Sequence, residues 1–200
     1  MVFEDFAGAA AVAAVRRWAA TLRPACIAVD SPAAWAETGH AARACEVDFA
    51  RARVCGIRFT PDAATAAART DAYYGWIEHG LDLWRALVDG GERVIECFPT
   101  ASFSQWVGGR SGRTRATWTR QAVQRFAVAG VTGTTAAGNQ DRRDALAAAL
   151  TARQYAIRPA STLSFWPLKI PRPGSDPLAH DGRRQERWPP PANPLGDAHP

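Results

Sequence analysis

Three acidic segments stand far apart in the chain: Ile27-Ala28-Val29-Asp30-Ser31-Pro32, Val94-Ile95-Glu96-Cys97-Phe98-Pro99 and Asp141-Arg142-Arg143-Asp144. Two are apolar runs that reach a carboxylate and soon meet a proline. The third opens an alanine-rich stretch with two aspartates three residues apart, on one face of a helix. Carboxylates that converge from separate elements can hold divalent metal ions, and two such ions can activate a water and stabilise a leaving oxygen in phosphodiester chemistry. All-oxygen ligation suits Mg2+, with Mn2+ as its substitute.

Each acid also has a plainer reading. Asp30 ends a predicted buried strand, where ligands bind in open α/β sheets, but an aspartate before Ser31-Pro32 also suits a turn or helix cap. Glu96, set among Val94, Ile95, Cys97 and Phe98, is expected to be at least half buried and so needs a cation or a hydrogen-bond partner, and a structural salt bridge to an arginine is its plainer reading. Asp141 and Asp144 fall in a first helical turn, where the helix dipole alone favours negative charge.

The elements that must position these acids follow from periodicity. Phe6, Val12, Val15, Trp18 and Leu22 predict a helix over residues 3–22, ended by Pro24. Residues 26–30 and 93–97 read as short buried strands. A helix is expected over 43–54, and the clearest amphipathic one over 70–89, with Tyr73, Trp76, Ile77, Leu81, Trp84 and Leu87 inward and Gly90-Gly91 as its stop. Further helices are expected from Pro99 to Val107, over 117–128 and over 141–156. Helices alternating with all-apolar strands imply an α/β layered domain with a parallel sheet. The expected division is an α/β domain over 1–157 and a proline-rich, largely irregular tail over 158–200.

Composition narrows the class. Two hundred residues, 47% hydrophobic and 22% charged, are globular values. The net charge of +5 rests almost wholly on arginine, Lys169 being the one lysine, and it permits nucleic acid as a partner. Arg110, Arg113 and Arg115 in the glycine-rich run Gly108–Arg115 can contact phosphates or simply be solvated. Trp106 and Trp118, which flank that run, read as core, with base stacking the alternative. The four cysteines lack metal-ligand spacing and read as reduced thiols. Four scattered histidines argue against a histidine-centred site. No apolar run is long enough to cross a membrane, and no signal peptide is visible, so the expected location is cytoplasmic. Oligomeric state leaves no mark on the sequence.

The order of a helix, "IAVDSP", "RACE" (Arg43–Glu46), "VIECFP" and "DRRDALAAALTA" resembles the family of unknown function 429, regarded as predicted nucleases with an RNase H-like fold. The resemblance runs from about residue 10 to residue 157. It implies a metal-dependent nuclease in which Asp30 takes the fourth-strand position and Asp144, with Asp141, the helix position, while Glu96 lies beside the site. On this reading the catalytic residues are Asp30, Asp144 and Glu96, and the metal ligands are Asp30, Asp141 and Asp144. The family's opening "G-x-D-G"-like strand, which carries the first aspartate, has no counterpart, so the expected sheet is truncated, with helices on both faces. Two alternatives follow: an inactive nucleic-acid- or protein-binding module that keeps the fold, and a sugar or nucleotide phosphotransferase, against which the lack of a phosphate-binding glycine turn after a strand counts.

Overall fold

The computed structural model describes residues 3–6, 10–69, 72–165, 167–173 and 175–178. Within them the chain folds as α1 (Ala11–Leu22), β1 (Ile27–Val29), α2 (Ala44–Arg51), α3 (Ala63–Ala67), α4 (Gly75–Asp89), β2 (Val94–Cys97), α5 (Pro99–Val107), α6 (Arg115–Val128), α7 (Gln140–Ile157), β3 (Thr162–Phe165) and β4 (Leu168–Pro171). The sheet order is β1-β2-β4-β3. β1, β2 and β4 run parallel, and β3 closes the far side as the antiparallel partner of β4.

Alternation of side chains along β1 and β2 sends apolar groups to both faces, as a parallel sheet with helices above and below requires. On one face Val29 and Val94 pack with Ala19 of α1 and Leu87 of α4. On the other, Cys26 and Ile95 pack with Ala152 of α7. A third cluster joins Phe49 of α2 and Ala101 of α5 to Leu168 and Ile170 of β4. The expected α/β class with helices on both faces is therefore observed.

The largest cluster lies among α5, α6 and α7. Phe103, Trp106, Trp118, Phe126 and Leu146 are each almost fully buried there, and the Phe103 and Phe126 rings stack with centroids 6.1 Å apart and 12° between their planes. Both indole N–H groups find acceptors: Trp106 donates to Gln154 at 3.3 Å and Trp118 to the Gly108 carbonyl at 3.1 Å. Both tryptophans are therefore core, and neither offers a face to a base.

Several expectations need correction. The first helix starts at Ala11 and not at residue 3; of the residues before it, Phe6 lies edge-on to Trp18 at 6.0 Å and Asp5 forms an ion pair with Arg142. Trp76 on α4 and Tyr73 in the 3-10 turn before it are exposed, and the buried face of α4 is Ile77, Gly80, Leu81 and Leu87. That face is rotated because α4 approaches the end of β1 through Gly80, where a side chain would not fit. Within the segment expected to be irregular, residues 162–171 instead form the β3–β4 hairpin. Thr162-Leu163-Ser164-Phe165 alternates as a half-buried strand does, and Pro167 and Pro171 fall at the connection and at the strand's end, where they remove no internal ladder bond. The remainder of the expected tail, from residue 179, lies outside the described residues. Among the described residues, no helix is long and apolar enough to cross a membrane.

Candidate active site at the carboxyl end of the first strand

β1 ends at Val29, which pairs with Glu96 of β2, so Asp30 leaves the sheet at the carboxyl end of its parallel strands. α7 packs against β1 and brings Asp144, near its start, to the same end. Asp144 is 7% exposed. One of its oxygens accepts from Gln140 Nε2 at 2.9 Å and the other from Arg115 Nη2 at 2.8 Å.

Asp30 and Asp144 lie near enough for the charge of Asp144 to act on Asp30. Asp30 is pushed up to about 7 from an ordinary 3.8, first by desolvation, then by the charge of Asp144, with Glu96 and Asp141 adding to it and Arg115 opposing. The residue keeps an open side to solvent, so the shift is that of a recessed carboxyl at a mouth, not a sealed one. Asp144 is raised as well: burial leads, Arg115 and Gln140 oppose it, and Asp141 adds repulsion. Asp141 itself is exposed on the rim and reaches both through its charge. The three aspartates named from the sequence therefore share one electrostatic neighbourhood. Among the described residues, however, no group of three or more His, Cys, Asp or Glu is arranged to hold a metal ion.

Glu96 lies beside this pair but is committed elsewhere. Its oxygens accept from Arg43 Nη1 at 2.7 Å and Nη2 at 2.6 Å, and from the Ala33 backbone N–H at 3.0 Å. Arg43 also donates from Nε to Glu46 at 2.9 Å. Glu46 in turn accepts from the Thr60 hydroxyl at 2.6 Å and the Thr60 N–H at 2.8 Å. All four side chains are buried. Burial works against the Arg43 charge, but the hydrogen bonds and charges of Glu96 and Glu46 outweigh it, and the guanidinium stays above its usual range. Of the two readings of Glu96, the salt bridge to an arginine is the one the geometry realises. Through Ala33 it ties the loop that follows Asp30 to β2, which gives Glu96 a part in positioning Asp30.

Ser31, next to Asp30, is pressed against Gly80 of α4, and its buried Oγ has no hydrogen-bond partner among the described residues. Cys97 is buried on β2, and its thiol is pushed up to about 12 by desolvation first and then by the charge of Asp30, which makes it a packing group beside the site and no nucleophile.

Arg115 stood in the sequence among candidate phosphate contacts, with nothing to mark it as the partner of Asp144. Gln140 carried no signal, since a single glutamine before a helix is unremarkable until α7 places it one turn from Asp144. Arg43 and Glu46 were visible as a motif whose role only the buried network explains.

No curated protein and no solved structure matches the chain. The model of one family does, that of a protein of unknown function (DUF429), and it matches residues 1–164. That span is most of the chain and includes Asp30, Glu96, Asp141 and Asp144, and the chain belongs to that family.

Proposed function

We propose that the protein is a metal-dependent nuclease with an RNase H-like frame, hydrolysing phosphodiester bonds with Mg2+ or Mn2+ at Asp30 and Asp144. The observation that carries this reading is the nearness of the two aspartates: Asp144 is the leading charge that raises Asp30 towards neutrality. A carboxylate whose ionisation is opposed by a neighbouring one gains from a shared cation. The frame is supported by the order of elements: a parallel strand ending in an acid, a second parallel strand beside it, and a late helix carrying further acids.

The donor set bears on the metal directly. Mg2+ keeps several waters and is commonly held by one or two carboxylates together with substrate phosphate oxygens, so a pair suits it where a closed three-ligand cage is absent. Asp30 and Asp144 would hold the ion, which when bound would supply an activated water and charge stabilisation at the phosphate. The chain's own residues supply the rest. Gln140 fixes the orientation of Asp144. Glu96 and Arg43 hold the loop after Asp30. Arg110, Arg113 and Arg115 offer positive charge to a nucleic-acid backbone on the side of α6.

A second reading is favoured by one specific observation. The lack of a three-ligand group among the described residues, with Arg115 already on Asp144, suits a nucleic-acid-binding module without catalysis. One experiment separates the two. Purified protein is incubated with single- and double-stranded DNA and RNA, with Mg2+, with Mn2+ and with chelator. The nuclease reading expects cleavage that needs the metal and disappears when Asp30 and Asp144 are both alanine. Salt-dependent binding without cleavage would give the site to the second reading, and cleavage undiminished in the double variant would remove both aspartates from the mechanism.

A further inference from the structure

Arg115 sits where its own helix does not favour it. It is the first residue of α6, no acidic residue lies in that helix's first turn, and a helix N-terminus favours negative charge, not positive. What holds the guanidinium there is Asp144, at 2.8 Å. The backbone beneath is fixed, because the Thr114 hydroxyl caps the helix at the Thr117 N–H and Trp118 is locked in the core. The side chain, by contrast, is 43% exposed, against 10% for that of Asp144.

The two sides of Asp144 differ in kind. Gln140 is immobilised: its carbonyl oxygen accepts from Thr119 at 3.1 Å and Arg143 at 3.2 Å, which leaves its Nε2 aimed at Asp144. Arg143 is itself buried and occupied by Thr119, Gly138 and Gln140. Arg142 is engaged by Asp5. Among the described residues, the Arg115 contact is therefore the one half-exposed cation contact on Asp144, and its charge also acts favourably on Asp30.

We infer that Arg115 is a built-in counter-cation of the Asp30–Asp144 pair, which a divalent ion entering the site displaces, freeing the guanidinium to receive a substrate phosphate. The inference rests on the metal-dependent reading of the site and adds to it a competitor within the chain. Arg115 has two roles in turn on this account: its charge sets how tightly the ion binds, and its release presents a planar donor pair suited to phosphate oxygens. An unliganded protein would then keep its two acids compensated without a resident metal.

The test measures Mn2+ binding directly, by the loss of the free-ion electron paramagnetic resonance signal, in the wild type, Arg115→Gln, Arg115→Lys and Arg115→Gln combined with Asp30→Asn. Removing a like charge a few ångströms from the ion, partly screened by solvent, is expected to tighten Mn2+ binding about tenfold in R115Q. R115K, which keeps the charge, stays near the wild type, and the D30N combination loses the gain because the ion is then short of a ligand. A purely structural role for Arg115 would weaken binding in R115Q, never tighten it. Equal or weaker binding in R115Q overturns the inference while leaving the metal reading intact. Tight binding that persists in the D30N combination overturns it too, by placing the ion elsewhere. No Mn2+ binding in any variant overturns the inference together with the metal reading. Circular dichroism of each variant confirms that it is folded, and Arg115→Met supplies the same charge removal if R115Q is not.

Discussion

Replacing Arg43 with methionine should be among the most damaging single changes in this protein, although Arg43 touches no candidate catalytic atom. Its guanidinium is 7% exposed and donates to Glu96 and Glu46, themselves 4% and 1% exposed. Methionine fills much of the volume but leaves both carboxylates buried without their cation. Removing one partner of a buried ion pair costs about 3–5 kcal/mol. Two glutamates are stranded here, and Thr60 compensates only one of them, so the upper end of that range applies. Set against a total stability of about 5–15 kcal/mol, the loss takes a third of it or more. The assay is urea unfolding followed by tryptophan fluorescence, comparing midpoints at constant slope. The informative partner is Arg43→Met with Glu96→Gln, which removes one stranded charge yet keeps an acceptor for the Ala33 N–H. It should be more stable than R43M alone. If R43M lost under about 1 kcal/mol, below even the usual penalty for one unsatisfied buried group, or if adding E96Q made matters worse, the buried-charge argument would be refuted.

Other expectations follow from the same site. Gly80→Ala would ordinarily gain up to about 1 kcal/mol of helix propensity, but here the new Cβ would lie 1.8 Å from Ser31 Oγ and 2.4 Å from Ser31 Cβ. A net destabilisation of about 1–3 kcal/mol is expected in urea unfolding, and adding Ser31→Gly should recover part of it. Asp30 is raised from 3.8 to about 7 in the folded protein, so the native state holds its proton more tightly than the unfolded chain does. Stability from this group is greatest below pH 4 and falls as pH rises from about 4 to about 7. Asp30→Asn should flatten that part of the stability–pH curve and be relatively more stable than the wild type at pH 8. Asp144→Asn should move the apparent titration near 7 downward, because it removes the leading like charge on Asp30; carboxyl chemical shifts report it, as a property of the coupled pair.

How much was legible before the structure depends on where each signal lay. Both buried strands were readable because an apolar run, four residues in one case and two in the other, that reaches an acid and soon meets a proline has few other solutions, and β2 falls within one residue of its expected start. α7 was readable from its alanine-rich stretch and the aspartates in its first turn, while the Asn139 cap emerged only with the structure. The β3–β4 hairpin was hidden because prolines at 159, 167 and 171 dominate the composition of that stretch, while the strands between them are four residues each. At the site, Asp30 and Asp144 could be named because each is an acid at an element's end. Their relation to Arg115 could not, since that contact spans 29 residues and depends on how the Phe103–Trp118–Phe126 core sets α6 against α7. Glu96 had two readings that sequence alone could not separate, because a metal and an arginine answer the same need of a buried carboxylate. The fold supplied Arg43 from 53 residues away.

The central claim is that Asp30 and Asp144 form one site that takes a divalent ion. The most direct measurement is paramagnetic broadening by Mn2+ of aspartate carboxyl carbon resonances, with signals assigned by Asp30→Asn and Asp144→Asn. The account predicts that the Asp30 and Asp144 signals broaden first and together, with Asp141 following at higher Mn2+ and surface acids such as Asp48 and Asp82 last. Broadening spread evenly over all aspartates, or confined to surface ones while Asp30 and Asp144 stay sharp, would contradict it.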